Sequence, residues 1–351
     1  MIDLSGKRIL FISARAFGIP ENIVDAMKAA GANVDYFDER PSNSFFVKAL
    51  IRINRNLIAT YINKYHNKII EAVKSIKYDY IFFIKAESFS ENNLEKLLSC
   101  HRNAKSIIYY WDSIANNPNA HNLINKFDYS FSFDSNDCEK EGINFLPLFY
   151  FNEYKEVADV QDSFIYDLMF VGTTHSDRYP LIKSIVSQVT NLGGNCYTYF
   201  FFQGKIMFYR YKLLHKSFRK ESIKDFKFKP LTKSQLMNLY KISKIIIDIQ
   251  HPRQTGLTLR CFEALGSKRK LITTNANIVK YDFYNPSNIL LIDRHSPHIT
   301  EDFFNTQFQD LENVIYDKYS ITSWLSHIFE IVDGNKTTNH YELLDGRRHH
   351  I

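Results

Sequence analysis

A run of β-branched residues that leads into a loop and a short helix constrains the fold more than any other part of this sequence. The run Ile245-Ile-Ile-Asp-Ile249 predicts a strand that is buried on both faces of a parallel sheet. A loop ending at Gly256 follows it, and Leu257-Thr258-Leu259-Arg260 begins the predicted helix. Helix N-termini carry unpaired N–H groups and a partial positive charge, so this segment is predicted to bind phosphate.

Two charged residues of the helix suit a nucleotide. Arg260 offers a bidentate cation to a diphosphate, and Glu263, one turn later on the same face, can accept hydrogen bonds from ribose hydroxyls. The alternative is that this strand–loop–helix unit binds nothing and that the two residues form a surface ion pair, worth about 0.2–0.5 kcal/mol. Both interpretations are open at the level of the residues alone.

The size and composition of the chain are those of a globular protein with two domains. It has 351 residues, of which 45% are hydrophobic and 23% charged, both within the globular range. Its four cysteines are widely scattered, which argues against a disulfide framework or a zinc site and is typical of a reducing cytosol. No run approaches 18 apolar residues and the first residues lack a signal-peptide layout, so we expect a cytoplasmic protein without a transmembrane helix.

Strand and helix signals alternate along the chain in two series. The first occupies residues 1–150 and the second residues 166–320, and each is typical of a doubly wound parallel sheet. Residues 149–165 interrupt the alternation and are predicted to be a linker. A terminal helix at 321–332 and a polar tail at 333–351 follow the second series. The predicted fold class is therefore α/β, with one sheet in each of two domains.

Several segments, in this order, resemble a known enzyme family. The strand, glycine and helix with Phe262-Glu263-Ala264-Leu265-Gly266, followed by Lys270-Leu-Ile-Thr-Thr-Asn275, resemble the donor-binding segment of GT-B glycosyltransferases. Residues 170–180 look like the first strand and loop of a GT-B donor domain. Together with Asp38-Glu-Arg-Pro-Ser42, Tyr110-Trp-Asp-Ser113 and Phe131-Ser-Phe-Asp-Ser135, they resemble glycosyltransferases of bacterial surface-polysaccharide (capsule or lipopolysaccharide) gene clusters. The resemblance implies two facing Rossmann-like domains, an acceptor-side domain at 1–150 and a nucleotide-sugar-binding domain at 166–320.

The donor site that the resemblance implies lies in the second domain. Glu263 would hold the ribose, Arg178 and Arg260 the phosphates, and Gly172 and Thr173 would allow close approach of the backbone. Arg178 has alternatives, since it can instead pair with Asp177 or cap its own helix. The full set of expected donor-binding residues is Gly172, Thr173, Arg178, Gly256, Thr258, Arg260 and Glu263. Retaining family members often carry a second Glu where this chain has Thr255, so the stereochemistry of transfer stays open.

The catalytic base of an inverting transfer would be a carboxylate at the end of a strand of the first domain. Asp112, which follows Tyr110-Trp111, is the first candidate and Glu87 is the second. The alternatives are that Asp112 caps a turn and that Glu87 pairs with Lys85. No convincing DxD-like metal motif is present, so we expect a metal-independent reaction without a cofactor, with the nucleotide-sugar as a substrate.

Positive charge is concentrated in one segment. The net charge of the chain is +6, but residues 205–233 hold ten Lys or Arg and two acidic residues, a net +8. A solvated surface and an anionic membrane both explain such a segment, whereas nucleic acid is disfavoured because no known binding motif accompanies it. The residues expected to contact the inner face of the membrane or a glycolipid acceptor are Lys216, Arg219, Lys220 and Lys224.

Three functions remain open on the sequence. The first is a hexosyltransferase-like enzyme that moves a sugar from a nucleotide-sugar donor to a lipid-linked glycan at the inner membrane face. The second is a non-catalytic GT-B-like protein that binds a nucleotide or glycan, an alternative kept open by Thr255. The third is a sugar-nucleotide epimerase of the same architecture, which would need no acceptor. Turnover with and without an acceptor distinguishes the three.

Overall fold

The chain folds into two compact units. The first comprises the chain up to Leu148 together with the segment that begins at Ile321, and the second comprises Phe149–Ser320. The structure is a computed structural model that describes residues 2–16, 18–117, 119–159, 164–174, 177–215, 218–252 and 254–335. Each unit is built around one parallel β-sheet, as the sequence predicts, and each sheet has six strands.

The strands of the first unit are short apolar runs. The central strand β3 is buried at all of its positions, as expected for a parallel sheet. The strands are β1 Arg8–Ser13, β2 Asn33–Phe37, β3 Tyr80–Ile84, β4 Lys105–Tyr110, β5 Tyr129–Ser132 and β6 Asn144–Phe145. They pair in the order β2-β1-β3-β4-β5-β6, so the chain reverses its direction across the sheet between β1 and β3.

Helices connect these strands and return at the end of the chain. They are α1 Ile19–Ala29, α2 Phe45–Asn54, α3 Ala59–Val73, α4 Glu91–Cys100, α5 Ala120–Leu123, α6 Ser135–Glu141 and, after the second unit, α14 Ile321–Val332. The last helix lies where the terminal helix is predicted, and it belongs to the first unit. Its Trp324 is 1% exposed and packs edge-on against Tyr109 of β4. Asp333 accepts hydrogen bonds from Tyr80 and Lys105, and residues 336–351 of the predicted polar tail lie outside the described residues.

The second unit has the strand order β12-β11-β10-β7-β8-β9. Its strands are β7 Tyr166–Thr173, β8 Cys196–Phe201, β9 Phe226–Lys227, β10 Ser243–Asp248, β11 Lys270–Thr273 and β12 Ile289–Leu291. The predicted β-branched strand is thus β10, in the interior of the sheet. The chain reverses its direction between β7 and β10, which pair in parallel with Ile245 opposite Leu168.

The helices of the second unit include one in the predicted linker. They are α7 Asn152–Ala158, α8 Arg178–Asn191, α9 Lys205–Leu214, α10 Lys233–Lys241, α11 Leu259–Gly266, α12 Glu301–Asn305 and α13 Asn313–Lys318. The prediction of a linker at 149–165 is wrong for its first half, because α7 packs against α10 and α11 and buries Tyr154 and Val157. Within the described part of the chain, no helix combines the length and apolarity needed to cross a bilayer.

Candidate functional site

The reversal point between β7 and β10 brings the predicted donor residues together. In open parallel sheets, ligands bind beyond the carboxyl ends of the strands at such a point, because the adjoining connections leave on opposite sides and open a crevice. Thr173 ends β7, and Ile249 directly follows β10. The helix α11 begins after the loop that leaves β10. The second unit therefore presents Gly172, Thr173, Arg178, Arg260 and Glu263 around one strand edge.

Arg178 connects the two strands at this point. It is the first residue of α8 and is 9% exposed. Its guanidinium donates to the carbonyl oxygen of Thr173 at 3.1 Å and also to that of Ile249. Burial, together with the neighbouring Arg260 and Arg294, lowers the pKa of Arg178 to about 10. Asp177, the alternative partner of Arg178, forms its ion pair with Arg294. Direct contact of Arg178 with phosphate stays a prediction.

Arg260 is held by the same strand. Its Nη2 donates to the carbonyl oxygen of Val171 at 2.6 Å, and its guanidinium carbon lies 5.7 Å from the centre of the Phe170 ring. Asp248 Oδ1 lies 3.9 Å from Nη1. Burial opposes the charge of Arg260, but Tyr240, Asp248 and Glu263 outweigh it and raise the pKa above its ordinary value. Arg260 is therefore not confined to a surface ion pair, because it contacts the main chain of β7 and its side chain is only 23% exposed. The alternative that this strand–loop–helix unit binds no ligand stays open.

Arg294 completes a cluster of three arginines and is absent from the sequence-based predictions. Its Nη1 donates to Asp177 Oδ1 at 2.7 Å. Its Nη2 donates to the carbonyl oxygen of Gln250 at 2.7 Å and to Thr274 Oγ1 at 3.2 Å. It follows β12 by three residues, so the rule that functional residues follow strands could have found it. Guanidinium groups gathered at one strand edge favour an anionic ligand.

Glu263 is held by tyrosines rather than by a surface cation. Tyr240 donates its hydroxyl to Glu263 Oε2 at 2.8 Å, and Tyr154 of α7 also donates to the carboxylate. Burial raises the pKa of Glu263, while Arg260 and the two hydroxyls oppose this rise. A carboxylate accepts about four hydrogen bonds, so this one retains acceptor capacity for hydroxyls of a ligand.

The loop before α11 is shaped by two asparagines. Asn275 Nδ2 donates to the carbonyl oxygens of Thr255 and Gly256, each at 3.2 Å, and Asn277 donates to that of Thr255 at 3.0 Å. Thr258 is the N-cap of α11, and among the described residues its side chain makes no capping hydrogen bond. The loop is thus fixed through its carbonyl groups. Binding of an anion at the N-terminus of α11 stays a prediction.

Because Gly172 has no side chain, the Phe170 ring can lie against its backbone, next to Arg260. A Cβ at this position would lie 2.9 Å from Cζ of Phe170 and 3.6 Å from Nη1 of Arg260. The first distance is shorter than a carbon–carbon contact allows, so any side chain would displace the ring that underlies Arg260. The close contact observed at Gly172 is internal, so the predicted close approach of a ligand at this residue stays a prediction.

The two predicted catalytic carboxylates lie in the first unit. Asp112 Oδ2 accepts from Lys85 Nζ at 2.6 Å, and its side chain is 48% exposed. Glu87 Oε2 accepts from Arg40 Nη2 at 2.6 Å, and its side chain is 8% exposed. Lys85 Nζ also lies 4.0 Å from Glu87 Oε2. The pairing of Glu87 with Lys85 that the sequence suggests is therefore present, but Arg40 is the nearer partner. Asp112 and Glu87 belong to one charged cluster at the ends of β3 and β4.

The backbone beneath this cluster is strained. Lys85 and Ala86 adopt left-handed conformations, with φ of 71° and 50°, which L residues rarely occupy. The side chains of Asn117 and Asn119 donate to their carbonyl oxygens at 3.0 and 3.2 Å and so hold the turn in place. Glu39, also in this region, is fully buried. Glu39 lies in the segment Asp38-Glu-Arg-Pro-Ser42 that the sequence singles out, but its burial depends on how the end of β2 packs in the folded unit.

The predicted membrane or acceptor surface is exposed where it is described. Arg219, Lys220 and Lys224 are exposed, and Lys216 lies outside the described residues. Across those same described ranges, no group of three or more His, Cys, Asp or Glu residues could hold a metal ion. Independence from metals and cofactors stays a prediction.

Comparisons with known proteins agree with the fold. No family model matches the chain, and no curated protein matches it. Among solved structures, a glycosyltransferase from Rickettsia africae is similar over 95% of this chain and 99% of its own, with 14% identity and a TM-score of 0.54. The apo structure of OtsA is similar over 95% and 100%, with 11% identity and a TM-score of 0.60.

A UDP-forming α,α-trehalose-phosphate synthase from Burkholderia xenovorans, solved with glucose-6-phosphate, is also similar. The alignment covers 93% of this chain and 100% of that one, with 10% identity and a TM-score of 0.58. Identities this low establish the fold alone. The chain has the α/β fold of GT-B glycosyltransferases, with two parallel six-stranded sheets.

Proposed function

We propose that this protein transfers a glycosyl group from a nucleotide-sugar donor to a glycan acceptor. The observation that carries the proposal is the cluster of Arg178, Arg260 and Arg294 at the reversal point of the second sheet, next to Glu263. A diphosphate offers the compact negative charge that such a cluster attracts, and a ribose offers the paired hydroxyls that a carboxylate accepts.

The arginines would act mainly on the leaving group. Breaking the bond between sugar and phosphate leaves additional negative charge on the nucleoside diphosphate. Arg260 and Arg178 are already held by the carbonyl oxygens of Val171, Thr173 and Ile249, so little reorganisation is needed to stabilise that charge. The N–H groups at the start of α11 add a partial positive charge nearby.

Inverting transfer also requires a group that takes the proton of the acceptor hydroxyl. We assign this role to Asp112, because about half of its side chain is reached by solvent. Both carboxylates are paired with a cation, but Glu87 is the second candidate because its side chain is only 8% exposed. Replacing Asp112 with Asn would remove the base while keeping the size of the side chain. The expected result is a loss of turnover of about 100-fold or more with unchanged donor binding.

The acceptor is proposed to be a lipid-linked glycan of surface-polysaccharide synthesis, reached at an anionic membrane. Two observations support this acceptor. The sequence motifs resemble those of glycosyltransferases from bacterial surface-polysaccharide gene clusters, and the cations Arg219, Lys220 and Lys224 are exposed. Each basic residue near an anionic lipid surface contributes about 1 kcal/mol of attraction. Several such residues would concentrate the protein at the membrane where this acceptor is made.

A thermal-shift screen with UDP, GDP, CMP, dTDP and their sugar conjugates tests the donor site. A ligand at 100 times its dissociation constant stabilises the folded state by about 2.7 kcal/mol, which raises the melting temperature measurably. We expect a rise with one nucleotide and its loss in Glu263→Ala, with Glu301→Ala, an exposed glutamate of the same unit, as the control. No rise with any of these ligands would contradict the proposal.

Turnover then separates the remaining functions. Release of the nucleotide that depends on an acceptor supports glycosyl transfer. Binding without any release, whatever the acceptor, would point to the non-catalytic alternative. Conversion of the nucleotide-sugar in the absence of an acceptor would identify an epimerase.

A further inference from the structure

The helix α9 of the second unit exposes an apolar face to solvent. Ile206 is 87% exposed, Tyr209 58% and Leu213 77%, and their spacing of three and four residues places them on one side of the helix. Leu214, 61% exposed, adjoins them. Large aliphatic side chains are seldom this accessible in groups on a protein surface, so the patch indicates a binding partner.

The opposite side of α9 fixes this orientation. Phe208 is 1% exposed and packs edge-on against Phe202, with the ring centres 5.9 Å apart. Met207 and Tyr211 pack against the same core cluster. Rotating α9 to hide Ile206 would bring the ring of Phe208 into water, which the hydrophobic effect opposes. The buried ring therefore keeps the apolar face of α9 directed outward.

Exposed cations lie on α9 and in the segment that follows it. Lys205 and Arg210 lie on α9 itself, and a second group follows the helix, namely Arg219, Lys220, Lys224, Lys227 and Lys229. Of the two acids in this segment, Glu221 is engaged by Tyr179 and Lys183. The surface is thus positively charged as well as apolar. A second copy of the same chain would carry like charge to this face, which disfavours self-association through it.

We propose that α9 is a membrane-docking helix that lies in the surface of an anionic bilayer. Ile206, Tyr209 and Leu213 would enter the boundary between headgroups and acyl chains, while the exposed Lys and Arg residues contact anionic headgroups. At ten residues, α9 is about 15 Å long, roughly half of the apolar thickness of a bilayer, so it lies on the membrane rather than across it. This inference goes beyond the proposed function, because it requires insertion of apolar side chains and needs neither donor nor acceptor.

The test compares sedimentation of the full chain with vesicles of phosphatidylcholine alone and of phosphatidylcholine mixed equally with phosphatidylglycerol. We expect binding to the mixed vesicles only. The double variant Ile206→Gln and Leu213→Gln should bind about tenfold or more weakly, because it loses the burial of two aliphatic side chains. Val314→Gln is the matched control, since Val314 is 80% exposed in the same unit but lies outside the basic segment. It should bind like the unchanged protein.

Two further measurements test whether the apolar face of α9 enters the bilayer and whether the cations contact its headgroups. The Tyr209→Trp variant adds a fluorophore on the apolar face, and the unchanged protein supplies the background emission of its own tryptophans. On mixed vesicles the added emission should shift to shorter wavelength and be quenched by brominated lipids, because the ring enters the acyl boundary. Arg219→Glu with Lys220→Glu should weaken binding at low salt, and the difference should shrink as salt screens the charges. Equal binding of the double variant and the unchanged protein, or unshifted emission from the Tyr209→Trp variant, would overturn insertion.

Other occupants of this face would give different results. The protein could instead form a dimer and fail to bind vesicles. If the Leu213→Gln variant then no longer dimerises, a second copy of the chain occupies the apolar face of α9, and the membrane proposal is overturned. The nucleotide-induced rise in melting temperature should be the same in the double variant as in the unchanged protein. Failure of membrane docking and failure of the donor site are therefore distinguished by separate measurements.

Discussion

Nη2 of Arg260 donates a hydrogen bond to the carbonyl oxygen of Val171 at 2.6 Å, which ties the helix α11 to the end of β7. One part of the guanidinium is thus fixed by the fold, and its other N–H groups can face a ligand. A lysine has a single ammonium and cannot hold the strand and present a planar fork to a diphosphate at the same time.

Arg260→Lys should therefore weaken binding of a nucleoside diphosphate by about 10- to 100-fold. The effect on the corresponding nucleoside, which lacks phosphate, should be small. Isothermal titration with both ligands measures the difference, and Arg219→Lys, an exposed arginine of the same unit, is the control. An equal loss for the nucleoside would mean that the substitution disturbs the fold of the site and not its phosphate contact.

Glu263 is expected to recognise the ribose through its remaining acceptor positions. Glu263→Gln replaces one acceptor oxygen by a donor, which cannot accept from a hydroxyl. The variant should bind the ribonucleotide about tenfold more weakly and its 2′,3′-dideoxy analogue nearly as well as the unchanged protein does. Competition titrations with the two nucleotides test this. If both nucleotides lose affinity to the same extent, Glu263 supports α11 through Tyr240 and does not contact the sugar.

Interior strands such as β3 and β10 could be predicted because they contain short apolar runs. The predicted strand at 245–249 overlaps β10 Ser243–Asp248, with a difference of two residues at its start and one at its end. The sequence prediction omits α7 because the helix has only seven residues and directly follows the aromatic run Phe149-Tyr-Phe151, although its buried Tyr154, Val157 and Ala158 have helical spacing. For the candidate donor site, the order of strand, loop and helix was enough to single out Arg260 and Glu263.

The partners of those residues could not be predicted from the sequence. Tyr154 and Tyr240 reach Glu263 from two other helices, and Arg294 reaches Asp177 from a position 117 residues further along the chain. Such contacts depend on how helices pack on the sheet, which local patterns do not encode. The hydrogen-bond partners of Arg178 could not be predicted either. They are main-chain carbonyl oxygens, which every residue carries, so the sequence does not indicate which of them Arg178 contacts.

Gly266 lies where helix α11 meets an aromatic ring. A Cβ built on Gly266 would overlap the ring of Tyr150, and Tyr316 donates its hydroxyl to the carbonyl oxygen of Gly266 at 2.5 Å. Gly-to-Ala changes inside helices usually stabilise a protein by up to about 1 kcal/mol. Here we expect the opposite sign, a loss of about 1–3 kcal/mol, because the backbone and the ring are already in contact.

Thermal unfolding followed by circular dichroism measures this loss for Gly266→Ala. The control is a double-mutant cycle with Tyr150→Ala, which removes the ring. In that background the added methyl group should be neutral or stabilising, so the two substitutions should couple by about 1 kcal/mol or more. Independent, additive effects would show that the ring is not the cause.

Glu39 should make the stability of the first unit depend on pH. Its side chain is fully buried, and no hydrogen bond to either carboxylate oxygen is found among the described residues. Burial raises its pKa to about 8 from an ordinary value of 4.5; Arg40 and Lys85 oppose the rise, and Glu87 and Asp38 add to it. Between these two pH values the folded state keeps the proton and the unfolded state has lost it. The contribution of Glu39 to stability is therefore complete below about pH 4.5 and is lost as the pH rises to about 8.

Glu39→Gln removes this titration and keeps the size of the side chain. Relative to the unchanged protein, the variant should gain stability steadily between about pH 5 and pH 8, by about 1.4 kcal/mol for each unit of pKa shift. Urea unfolding followed by tryptophan fluorescence is the suitable measurement, because both tryptophans, Trp111 and Trp324, belong to the first unit. Glu139→Gln, at an exposed position of the same unit, is the control and should show no such trend. A difference between Glu39→Gln and the unchanged protein that stays constant with pH would mean that Glu39 is already ionised in the folded state at neutral pH.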